Sequence, residues 1–119
     1  MKNLLIGYLV LNLLLEGLAA VLIISGPQGV PSVANADGMM WAMNYGFAAA
    51  AIASALFWIW PSRDSRQAVG AVLGVLVAFH AMLFVSVAIQ GNQVPYVAVH
   101  GAMAVIGGIL YATRSSYTT

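Results

Sequence analysis

Four apolar stretches, at residues 4–25, 39–60, 67–90 and 95–113, take up most of the chain. At a rise of about 1.5 Å per helical residue, each is long enough to cross a hydrocarbon core of about 30 Å. Lipid tolerates only backbone that is hydrogen-bonded within itself, and these runs lack the alternation of a barrel strand, so each is expected to be a helix. The breaks between them carry turn chemistry: Gly26, Pro27, Gly29 and Pro31, then Pro61 to Arg66, then Gly91-Asn92-Gln93 before Pro95. The fold expected is all-α, an integral-membrane, up-down bundle of four transmembrane helices forming a single domain over 1–119.

Charge says where the two ends of the bundle lie. Only 6% of residues are charged while 62% are apolar, far from the balance of a soluble domain. The four bases are Lys2, Arg63, Arg66 and Arg114, and alternate crossings put all of them at one end. By the positive-inside rule that end is cytoplasmic, so both termini are inside and the 25–38 and 91–94 connections face out. Trp58, Trp60 and Tyr111 fall near the basic end and Trp41 and Tyr96 near the other, as interfacial aromatic belts do. The first stretch stays apolar through Ile24, longer than a signal-peptide core, and is read as a retained span. The location expected is a bacterial inner membrane, with the lipid bilayer as the first partner.

The same composition removes several functions. Four bases in no cluster cannot track a phosphate backbone, so nucleic acid is not a partner. With no cysteine there is no thiolate nucleophile or thiolate metal site. No Ser-His-Asp or paired-carboxylate set can be assembled at one depth, because Asp37 lies at the outer rim and Asp64 at the basic end; whether the chain is an enzyme stays open.

Ionisable groups in the bilayer are costly and mark candidate sites. Three fall inside the spans: Glu16, His80 and His100. Counted from the outer helix ends, Glu16 and His80 lie about 14–15 Å deep, His100 about 8 Å and Asn44 about 9 Å. Four spans thus each supply one polar group to a band about 7 Å tall. Tyr8, Asn12 and Glu16 recur every fourth residue and share one helix face, whereas the face of His80 is otherwise apolar and needs a partner from another helix. Glu16 is that expected partner. The binding residues expected are Glu16, His80, His100, Asn44 and Asn12, with Glu16, His80 and His100 as the set for a metal.

Three classes of function fit this constellation. The first is binding or translocation of a small cation, a proton or a polar solute, with Glu16 alternating between proton and cargo. A second is a cofactor protein, holding haem between the two histidines or a divalent metal on Glu16, His80 and His100. The third is a non-catalytic accessory subunit of a membrane complex, whose polar groups only fix helix register. A homo-oligomer is expected, because one such bundle is thin for enclosing a pathway. Gly70 and Gly74 in the third stretch, and Gly101, Ala104, Gly107 and Gly108 in the fourth, have the small-residue spacing that brings helices close.

Overall fold

A computed structural model describes residues 1–26, 36–91 and 93–119, without the side chains of 36 and 37. The turn residues Pro27, Gly29, Pro31 and Asn92 and the side chain of Asp37 lie outside the described residues. The described chain is all-helical and carries four helices long and apolar enough to cross a membrane: Lys2–Ser25, Gly38–Ser62, Arg66–Gln90 and Val94–Ser116. The regular elements are α1 (Lys2–Ser25), α2 (Ala36–Ala53), α3 (Ala55–Ile59), α4 (Arg66–Gln90) and α5 (Val94–Thr113). They group into two compact units, one of Leu9–Trp58 and one of Met1–Tyr8 with Ile59–Thr119.

In the unit of α4 and α5, sequence signals set the helix ends. The Ser65 hydroxyl accepts a hydrogen bond from the Ala68 amide and caps α4. Gly91 ends α4 at φ +69°, a conformation that costs a residue without a Cβ little. Pro95 occupies the first turn of α5, where its missing N–H is no loss. Buried residues recur at helical spacing: Val69, Leu73, Leu76 and His80 on α4, then His100, Met103, Gly107 and Leu110 on α5. Met82, Ile89 and Val94 are among the most exposed side chains, as suits helix faces turned to lipid.

The glycines of this pair work differently from a bare backbone contact. A Cβ on Gly101 would stand 3.0 Å from the Phe84 ring, one on Gly74 3.9 Å from Tyr111, and one on Gly70 3.0 Å from the Arg114 side chain. Each gap receives a large side chain from the other helix or its C-terminal end. These contacts set an antiparallel register in which the residues of α4 meet those of α5 in descending order.

The basic end is tied together by polar bonds. Lys2 pairs with Asp64 at 2.8 Å, the Arg66 amide donates to the Thr119 carbonyl and the Thr119 amide to the Asp64 carbonyl. Tyr117 is buried and donates its hydroxyl to the Leu110 carbonyl at 2.6 Å. Arg63 stacks on Trp60 and Arg114 on Tyr111.

In the other unit, α1 lies antiparallel to the second span, and Gly46 seats Ile23 and Ile24 so closely that a Cβ would come within 2.9 Å. The second span, expected as one helix over 39–60, is interrupted at Ser54. Ser54 donates its hydroxyl to the Ala51 carbonyl, and the Asn12 amide donates to the Ile52 carbonyl at 3.0 Å. A continuous helix would use those two carbonyls for the amides of residues 55 and 56. Side chains take them instead, so the break leaves neither acceptor unsatisfied. Trp58 donates its indole N–H to the Ser54 hydroxyl and covers the break.

Candidate functional site

The ionisable residues expected in the spans are buried. Glu16 is 2% exposed, His80 0% and His100 7%, a degree of burial rare for such groups unless they are partnered. Glu16 belongs to the unit of Leu9–Trp58 and the two histidines to the unit of Ile59–Thr119; a carboxylate and imidazoles are donor types that a metal ion takes.

His80 and His100 meet directly. Their Nδ1 atoms lie 3.1 Å apart, with ring centroids 5.4 Å apart and planes inclined at 30°. Two neutral imidazoles at this distance share one hydrogen: one Nδ1–H donates and the other Nδ1 accepts. Phe79 lies edge-on to His80 at 5.3 Å and contributes an apolar wall. The register explains how the rings reach each other. With Phe84 against Gly101 and Val77 against Gly107, His80 stands level with residues 104–105, about 7 Å along the axis from His100. The rings therefore bridge positions more than one turn apart.

The separation is informative about a ligand. With metal–nitrogen bonds of about 2.0–2.1 Å, two nitrogens 3.1 Å apart subtend about 98° at a shared ion, between the square and tetrahedral angles. A haem between the rings would need its ligating nitrogens about 4 Å apart, with a porphyrin plane between them. The observed contact leaves no room for that plane, so the haem expectation does not fit this pair.

Glu16 and Asn12 are placed by α1, whose buried residues Leu5, Tyr8, Leu9, Asn12, Glu16 and Ala20 form a single stripe. Within its own unit Glu16 is hydrogen-bonded by Tyr45 of α2. Asn12 is fully buried and holds the Ile52 carbonyl, a structural bond. Asn44 is exposed on α2, on a different side from the buried Gly46, Ala49 and Ala53.

Sequence reasoning passed over Tyr45, although it adjoins Asn44 and lies at a similar depth. It saw Tyr8 only as a member of the polar stripe. Tyr8 is 3% exposed, and its hydroxyl has no hydrogen-bond partner among the described residues. No protein family, curated protein or solved structure matches this chain.

Proposed function

We propose that this protein binds a small cation inside the membrane and carries it across, with His80 and His100 as the principal donors. The cation that suits the pair best is a divalent first-row transition metal, since imidazole is a good ligand for such ions and Nδ1 lone pairs replace water in a site closed to solvent. Glu16 supplies the third donor in this reading. Its burial, its carboxylate and its depth in the sequence, about that of His80, support that role.

The observation that carries the reading is the 3.1 Å contact between two buried ring nitrogens, a distance that suits two ligands of one ion. A proton added to the metal-free pair would be held between the same two Nδ1 atoms, which supports proton carriage as a second reading. A metal ion and that proton compete for the same lone pair.

The test is Co2+ titration of the protein in nanodiscs, followed by visible absorption and metal analysis. One Co2+ per chain with ligand-field bands is expected, lost in the His80→Ala, His100→Ala double variant and weakened at least tenfold in Glu16→Gln. Equal Co2+ content in the wild type and the double variant would overturn the proposal. Unchanged affinity and spectrum in Glu16→Gln would remove Glu16 from the donor set.

A further inference from the structure

The face of α5 that carries His100 also carries a buried sulfur. Met103 lies almost one turn on and is 2% exposed, in the same buried row as His100, Gly107 and Leu110. The chain has six methionines, and burial sets this one apart. Met1, Met39, Met40 and Met82 are exposed, Met82 at 74% although it lies two residues from His80, and Met43 is only partly buried. Leucine fills the neighbouring buried positions 73, 76 and 110, so hydrocarbon alone packs this seam well. At 103 a polarizable thioether stands instead.

The helix register places that sulfur. Met103 follows His100 by three residues, about 4.5 Å toward the basic end, and stops about 2–3 Å short of the level of His80. Its Cα thus falls between the levels of the two histidines. Side chains on a helix lean toward its N-terminus, which for α5 is the end away from the bases, so Met103 leans back toward His100 and the ring contact. One helix pair therefore brings three neutral donors to one level, two imidazole nitrogens and a thioether.

From this donor set we infer that the ion held between α4 and α5 is monovalent copper, with Met103 as the third ligand beside His80 and His100. The inference rests on the cation-binding reading and names its cargo. Two imidazoles alone suit a divalent ion; a soft thioether shifts the choice to Cu+. Charge favours the same ion. The spans of α4 and α5 contain no carboxylate, and the cost of burying an ion in a low-dielectric interior rises with the square of its charge. On three neutral ligands a divalent ion therefore costs about four times as much as a monovalent one. A divalent ion calls on the Glu16 carboxylate, whereas Cu+ needs no anion. Three-coordinate Cu+ wants its ligands nearer to about 120° apart, and the two Nδ1 atoms reach that angle by parting a few tenths of an ångström from 3.1 Å.

Anaerobic titration of nanodisc protein with Cu+ against a chromogenic Cu+ chelator tests the inference, followed by X-ray absorption at the copper edge. One Cu+ per chain is expected, with two nitrogens and one sulfur in its ligand shell. Met103→Leu, which keeps the bulk, is expected to weaken Cu+ binding at least tenfold and to remove the sulfur, while Co2+ affinity stays within about twofold. A nitrogen-only shell in the wild type overturns the inference, and that readout needs no variant should Met103→Leu fail to fold. Equal Cu+ affinity in the two proteins, or a sulfur that survives the substitution, overturns it as well. Each of these results leaves the histidine site standing where Co2+ still binds. A wild type that takes up neither ion overturns both readings.

Discussion

The α4–α5 pair and the α1–α2 pair are both antiparallel, glycine-seated and apolar, yet the Asn12 amide of one and the two imidazoles of the other are put to opposite uses. In α1–α2 the Asn12 amide meets a main-chain carbonyl released by the break at Ser54. That bond completes a backbone. In α4–α5 the helices are continuous, their backbone groups are satisfied internally, and the two imidazoles meet each other. A buried polar residue in a membrane span is thus better judged by what it bonds than by its type. Bonded to backbone it is a tether, and bonded to a second ionisable group it is a candidate site.

The sharpest way to break this contrast is to remove one imidazole while keeping its bulk. His80→Phe is expected to leave α4 and α5 paired, as judged by circular dichroism and thermal unfolding, and to lower Co2+ affinity by about 100-fold or more, the upper end of what loss of even a supporting group costs. The Asn12→Leu exchange should do the reverse, leaving Co2+ affinity unchanged. Next in size is Gly107→Ala. The added methyl collides with Tyr8 and Val77 and is expected to cost about 1–3 kcal/mol in unfolding experiments, as overpacking generally does.

Asn12→Ala strips the Ile52 carbonyl of its partner and should cost about 0.6–2 kcal/mol, read by denaturation in mixed micelles. Faster hydrogen exchange at the amides of residues 55–58 would localise the loss to the break. Truncating Leu5 or Leu9, apolar members of the same α1 stripe, is expected to leave exchange at those amides unchanged.

The smallest effect is at the surface. The hydrogen bond and charge of Lys2 hold the Asp64 carboxyl below the usual carboxylate range. A depressed carboxyl contributes stability above its unfolded pKa of about 4, and loses it as pH falls through the folded value. Lys2→Met is expected to move the Asp64 titration up toward that ordinary value in NMR, with little change in unfolding near neutral pH, since the pair is largely exposed.

The spans were legible because apolar length is a direct readout of bilayer thickness, and the turn residues around Gly91 and Pro61 mark their ends. The axial offset of the histidines was legible too, since counting residues from the helix ends yields about the same 7 Å as the packed register. That the side chains nevertheless touch depends on rotamers and on how Phe84 and Val77 set the helix spacing, which no count reveals. The break at Ser54 was hidden for a related reason. Serine among alanines does not forbid a helix, and the group that makes the break tolerable is an amide 40 residues away. Asn44 was chosen by depth, and depth alone says nothing about which way a side chain faces, while Tyr45, one residue on, bonds Glu16.

The four bases expected to orient the chain are also structural parts of its basic end. Lys2 is paired with Asp64, Arg63 stacks on Trp60, Arg114 lies on Tyr111 beside Gly70, and the main chain of Arg66 binds Thr119. The orientation expected from the positive-inside rule would make each of them part of an insertion signal as well. Replacing the side chain of Lys2, Arg63 or Arg114 therefore alters the local geometry as well as the charge pattern on which that orientation rests, and a sidedness reporter has to accompany every measurement made on such a variant.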